Sequence, residues 1–311
     1  MRTPLTLLAP LSIALILASC GGPSNTQNAV APDESTTSIT SLPVDPQLTR
    51  SAISEQAAEP YNITLQFAAG SDASVVSAMQ AAAKRWEGVV TQGLPSYSAN
   101  IKANTCGSNA AYVGSIDDLL VFTGNKAIDG PGGILAQSGP CSVRTSGGLT
   151  IYSTLVFDTA DLAQFKSQLA DIAVHELGHS LGIGTLWQSK GLVSGIGTTN
   201  PIYKGTNGVR EYRAAGGTLT TVPVENQGGA GTAGGHWRET TFKTELMTGY
   251  LNSGVVNPLS RMSVGSLQDM GYAVNYAAAD AYTVPAVAAA SVNALELGGH
   301  EELITPTYRG E

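Results

Sequence analysis

Between Asp171 and Gly182 the chain reads Asp-Ile-Ala-Val-His-Glu-Leu-Gly-His-Ser-Leu-Gly, and no other stretch narrows its possible folds as much. On a helix each residue advances about 100°, so His175 and His179, four apart, project to one side and can bind a single zinc ion. Val174, Leu177 and Leu181 fall on a different stripe that can face a core. One short helix is therefore expected to be anchored along one face and to carry chemistry along another. Glu176 is offset around the helix from both histidines, which suits a carboxylate that reaches a water on the metal rather than the metal itself. Zinc lowers the pKa of such a water toward roughly 7 and polarises a carbonyl, so Glu176 need only take a proton as the oxygen attacks and return it to the leaving amine. The expected chemistry is amide hydrolysis with one catalytic Zn2+.

A catalytic zinc usually keeps three protein ligands and an open fourth position. Of the four histidines only His236 and His300 remain, and His300, in Gly298-Gly299-His300-Glu301-Glu302, reads as an exposed tail residue. Gly182 follows His179 by three residues, as in H-E-x-x-H-x-x-G-x-x-H, where glycine lets the chain turn sharply beneath the metal. Position 185 is threonine, so the usual third histidine is missing. His236 comes instead after an insertion of 56 residues, 180–235, and is followed by Glu245-Leu246-Met247-Thr248-Gly249.

The start of the chain reads as an address rather than a fold. Arg2 supplies a positive charge, and Leu5 to Ala18 is an apolar run broken only by Thr6, Pro10 and Ser12, too short for a membrane span. Leu17-Ala18-Ser19-Cys20 resembles the lipobox at which bacterial lipoproteins are cut and acylated, which makes Cys20 the expected lipidated first residue. An ordinary secretory signal cut nearby is the alternative. Either way the protein is expected to be exported, and on the first reading it is lipid-anchored at the cell envelope or released from it. Residues 20–59 are rich in Ser, Thr, Pro, Asn and Gln and read as a flexible tether. In an oxidising compartment Cys106 and Cys141 form an even pair, for which a disulfide is the economical expectation. The net charge of −8 becomes −9 once residues 1–19, with their single Arg2, are removed, which argues against a nucleic-acid partner.

Order is expected from Tyr61-Asn62-Ile63-Thr64-Leu65-Gln66-Phe67, where apolar residues alternate as in a half-buried strand. Ser71 or Asp72 can cap a helix through Val75, Val76, Met79, Ala82, Ala83 and Trp86, with Trp86 read as core. Further strands are expected at 118–123, 133–137 and 149–157, and a helix from Leu162 to Ile183. Residues 184–235, dominated by Gly, Thr and Asn, read as loops with short elements. Asp158 and Asp161 read as turn or capping residues, not metal ligands.

With its displaced third histidine and a later methionine-bearing turn, the chain resembles the leishmanolysin family, on His236-Trp237, Glu245-Leu246-Met247 and Leu267-Gln268-Asp269-Met270-Gly271-Tyr272. The resemblance, which runs from Tyr61 to Tyr272, implies an α/β (α+β) metzincin-like fold with an N-terminal mixed sheet and two helices, a cleft, and a loop-rich C-terminal subdomain. It implies boundaries at 60–183 for the first subdomain and 184–275 for the second, with 276–311 as a tail. It makes His236 the third zinc ligand and Met247 a structural residue beneath the metal, and it marks Gly133-Ile134-Leu135-Ala136 as similar to the edge strand that pairs with extended substrate. Tyr250 stands three after Met247 and is given no catalytic role. The partners expected are protein or peptide substrates, together with a membrane through the lipid. The competing reading is a surface lipoprotein, an adhesin or binding protein, that keeps zinc without turnover. Glu176 favours the enzyme, because a closed structural site has no use for a base there.

Overall fold

The computed structural model describes residues 59–286 apart from 133, 230 and 253, and the short segments 294–296, 301–303 and 306–308. The address segment, nearly all of the tether, Cys20, Gly133 and His300 lie outside the described residues.

A mixed sheet organises the first half. Strands β1 (Ile63–Phe67), β4 (Leu119–Lys126) and β6 (Thr150–Asp158) run parallel in that order, and β5 (Ala136–Val143) follows antiparallel to β6. From Leu119 to Gly124 every residue of β4 is buried, as a strand covered on both faces requires. Leu119 and Val121 point into the main core, while Leu120 and Phe122 point the other way to meet Ile101, Ile116 and Tyr152. The second face is covered by a hairpin of β2 (Tyr97–Ile101) and β3 (Tyr112–Ile116), which the sequence reading did not anticipate. A disulfide between Cys106 and Cys141 staples that cover to β5.

Helix α1 (Ala73–Val89) starts where the Asp72 carboxylate accepts from the amide of Ser74 at 2.7 Å. Its buried stripe of Val75, Met79, Ala82, Trp86 and Val89 packs on the sheet and on helix α2 (Leu169–Leu181), each large side chain contributing about 2 kcal/mol by burial. The indole of Trp86 donates to the carbonyl of Val174 at 2.9 Å, which fixes one helix against the other.

Helix α2 starts at Leu169, not at Leu162. The reason is the carboxylates upstream: Asp158 accepts from the amides of Asp129, Gly130 and Ala160, and Asp161 accepts from that of Gly132. These bonds hold residues 158–168 in turns that anchor the 129–132 loop, and a helix there would break them. The strand expected at 133–137 likewise begins only at Ala136, because the amide of Ile134 is turned back onto the carboxylate of Asp129.

The second half is built from short pieces around an aromatic cluster. A small sheet of β7 (Val193–Ser194), β8 (Ile202–Tyr203) and β9 (Val222–Pro223) is followed by a single helical turn, α4 (Glu239–Phe242), and by strand β10 (Tyr250–Asn252). Helix α3 (Thr206–Ala214) packs on helix α5 (Arg261–Met270), whose Asp269 accepts from the amides of Asn207 and Gly208. Trp187, Tyr203, Trp237 and Phe242 pack mostly edge to face between these pieces, with Trp187 and Trp237 centroids 4.4 Å apart. The tail returns to the core: β11 (Ala294–Glu296) pairs with β10, while β12 (Glu301–Leu303) and β13 (Thr307–Tyr308) run parallel to β5. The architecture is α+β. Among the described residues no helix is long and apolar enough to cross a membrane.

Candidate metal centre

His175 and His179 stand one turn apart on α2, and the chain brings His236 to them across the long insertion. The three Nε2 atoms form a triangle with sides of 2.9, 3.0 and 3.2 Å. Three nitrogens about 2.0–2.1 Å from one tetrahedral ion are separated by about 3.3 Å, so the triangle fits one face of a zinc coordination sphere.

The protonation of the rings follows from their outer nitrogens. Nδ1 of His175 faces the carbonyl of Leu246 at 2.6 Å, that of His179 the carbonyl of Ile183 at 2.8 Å, and that of His236 the carbonyl of Thr232 at 3.0 Å. A carbonyl only accepts, so in each neutral ring the proton sits on Nδ1 and the lone pair on Nε2. Three lone pairs then converge at about 3 Å inside a fully buried site, an arrangement that repels itself unless a cation lies among them. The donor set, three imidazoles and no thiolate, suits zinc and leaves room for a fourth ligand. Glu176 is buried on the same helix, next to His175.

Each histidine-bearing segment is hydrogen-bonded to the turn around Met247. The carbonyl of Leu246 receives His175, and the carbonyl of Met247 accepts from the amide of Trp237, the residue after His236. Met247 itself is buried against α2 at Gly178. The turn is shaped by Glu245, which sequence reasoning quoted within the motif but gave no role. One of its oxygens accepts from the amide of Met247 at 2.6 Å, and the other accepts from the amide and hydroxyl of Ser260 and the hydroxyl of Ser263. Complete burial pushes its pKa up, and these four donors oppose the shift. A glutamate two residues before a methionine carries no sequence signal of such a role, because its partners lie 15 and 18 residues further on.

Glycine is required where the insertion leaves and returns. Gly182 ends α2 in the left-handed conformation, at φ 116°. A β-carbon on Gly184 would lie 1.9 Å from the carbonyl of Gly235, so the segment entering the insertion and the one delivering His236 touch backbone to backbone. Thr185, at the position where the unbroken motif has histidine, donates its hydroxyl to the carbonyl of His179 at 2.8 Å.

Of the residues marked from sequence, His175, Glu176, His179, His236, Gly182 and Met247 therefore gather at one place. Ile134 and Leu135 precede β5, and Ala136 begins it. Two residues on, the hydroxyl of Ser138 donates to the carbonyl of Glu176 at 2.7 Å, which lays β5 alongside the histidine-bearing turn of α2. Cys106 and Cys141 belong to the core on the opposite face of the sheet.

Comparison with known proteins adds the following. A family model described as leishmanolysin, a peptidase family, matches residues 100–295. A leishmanolysin homolog of Crithidia fasciculata is 27% identical over 158 residues, covering 48% of this chain and 24% of that protein. Leishmanolysin of Leishmania donovani is 25% identical over 165 residues, 50% of this chain and 27% of that one. Leishmanolysin of Leishmania major is 27% identical over 150 residues, 45% and 24% respectively. The matches span about a quarter of the length of these curated relatives.

Proposed function

The chain belongs to the leishmanolysin family of peptidases, and on that premise we propose that it is a zinc-dependent endopeptidase on a metzincin-like domain, with His175, His179 and His236 as ligands and Glu176 as its base. The observation that carries this reading is the convergence of three Nε2 lone pairs, each fixed by an Nδ1 bond to a backbone carbonyl. Zinc held there supplies a Lewis acid that polarises the scissile carbonyl and makes water acidic. Glu176 takes the proton of the attacking water and passes it to the departing amine, so one carboxylate serves as base and then as acid. The peptide lies extended along β5, bound by backbone pairing that tolerates many sequences. On this reading the chain divides at about residue 184 into a sheet-bearing part and a loop-rich part that delivers His236 and Met247, with the substrate cleft between them.

The same reading includes location. Leu17-Ala18-Ser19-Cys20 supports acylation of Cys20, with residues 20–59 as a tether holding the peptidase at the envelope of the cell that exports it. Radiolabelled palmitate incorporated by the parent and not by Cys20→Ser supports the anchor, and equal labelling of both refutes it.

Activity is tested by incubating the zinc-loaded protein with an unfolded protein such as casein, beside Glu176→Ala at matched zinc content. Cleavage by the parent alone supports the peptidase. No cleavage by either, with one bound zinc per chain, favours a latent enzyme or a zinc-holding surface protein instead.

A further inference from the structure

Strand β5 is hydrogen-bonded to β6 on one side, and its other side is an edge that would accept any extended chain. That edge is taken. Glu301, Glu302 and Leu303 of β12 stand in register with Ala136, Gln137 and Ser138, and Thr307 and Tyr308 of β13 with Ser142 and Val143. The stretch left between them, Gly139 to Cys141, contains Pro140, which has no amide hydrogen to offer.

The covered residues are the ones that adjoin the metal centre. Leu303 pairs with Ser138, the residue whose hydroxyl reaches the carbonyl of Glu176. Just upstream, β11 pairs with β10, in the register Tyr250 with Glu296 through Asn252 with Ala294, and β10 begins three residues after Met247. Glu296 and Glu301 are five residues apart, a span of at most about 18 Å. One short segment thus ties the turn beneath the histidines to the strand beside the ligand-bearing helix.

We propose that β12 and β13, anchored upstream by the pairing of β11 with β10, act as an intramolecular strap on the substrate-pairing edge of β5, so that an extended peptide reaches the metal centre only by displacing them. This rests on the reading of β5 as the substrate strand. Pairings of three and two residues are short enough to open locally without unfolding the sheet. Because the strap is tethered, it competes at an effective concentration on the order of millimolar, which a weakly held peptide cannot match. Removing it frees the edge.

The test uses zinc-loaded protein in the Glu176→Ala background, so that binding is read without turnover. The probe is a fluorescein-labelled pool of proline-free decapeptides, added to the full chain, to a chain ending at Ala286, and to Glu302→Pro, which withdraws one amide from β12. Both altered chains are expected to bind the pool at least 10-fold more tightly. Their amide exchange should accelerate across 136–143 and stay unchanged across 169–181. A synthetic peptide of residues 287–311 should restore the weaker binding to the truncated chain. If the truncated chain is unfolded, Glu302→Pro alone decides. Equal or weaker probe binding by a folded, zinc-loaded variant overturns the strap. Tighter binding after truncation, with no casein cleavage by the Glu176-bearing form, keeps the strap and refutes the peptidase. Cleavage at the same rate with and without the tail does the reverse.

Discussion

Gly178 and Met247 meet so closely that a β-carbon on the glycine would stand 3.0 Å from both the sulfur and the terminal methyl of the methionine. Trp86 closes the same space at 3.1 Å, and its ring is held by the bond from its indole to Val174. Gly178→Ala gains up to about 1 kcal/mol of helix propensity but overpacks this junction, at a cost of about 1–3 kcal/mol. A net loss of about 1 kcal/mol is expected, read as a melting temperature lower by a few degrees. A higher melting temperature with unchanged zinc affinity would mean that Met247 moves aside freely and does not support the metal turn.

Removing His236 leaves two lone pairs on α2 where three converged. His236→Ala is expected to lose at least 100-fold in zinc affinity, while Glu176→Ala keeps zinc and loses about 10²–10⁴-fold in turnover. Competition with a chromogenic chelator measures the first, and cleavage of a quenched peptide the second. Full zinc affinity in His236→Ala would move the third ligand elsewhere.

Glu239 lies three residues after His236 and is buried. Neither of its carboxyl oxygens meets a donor in hydrogen-bonding geometry. Burial pushes its pKa from 4.5 up to about 7, although Thr248 and Lys243 nearby pull it down. Between those values the folded chain holds a proton that the unfolded chain has released, so stability falls as pH rises from about 4.5 to about 7. Glu239→Gln should flatten that slope and gain on the order of 2–3 kcal/mol at pH 8, as followed by urea denaturation at several pH values. Parallel pH profiles for parent and variant would show that the carboxyl is solvated.

The bond between Cys106 and Cys141 closes a loop of 35 residues, which the chain-entropy model values at about 4 kcal/mol. Reduction is therefore expected to lower the denaturation midpoint and to loosen the β2–β3 cover. The histidine site, on the other face of the sheet, should keep its zinc. Loss of the metal on reduction would show that the two faces are mechanically coupled.

Glu245 supplies the acceptors that join the Met247 turn to the first turn of α5. Glu245→Ala strands two hydroxyls and two amides and is expected to cost about 3–5 kcal/mol, whereas Glu245→Gln, which retains acceptors, should cost less. Equal melting temperatures for all three proteins would remove Glu245 from the account of the turn.

The amino-acid sequence by itself determined the features that repeat at short range. The four-residue spacing of His175 and His179, the apolar stripe of α1 and the alternation in β1 are all set by local backbone geometry, and each of these residues lies in an element of the expected type. The tertiary structure alone decided what depends on distant partners. It brought Nε2 of His236 to 3.0 Å from that of His179 across 57 positions of chain, fixed each ring by a carbonyl, and bonded the amide of Met247 to the carboxylate of Glu245. It also shortened α2 to Leu169 by spending Asp158 and Asp161 on the 129–132 loop, and it laid the tail on β5. Periodicity reports which side of an element is apolar, because burial acts on every turn of it. It carries no record of where a single buried donor or acceptor finds its partner, and those pairings were settled only when long loops closed.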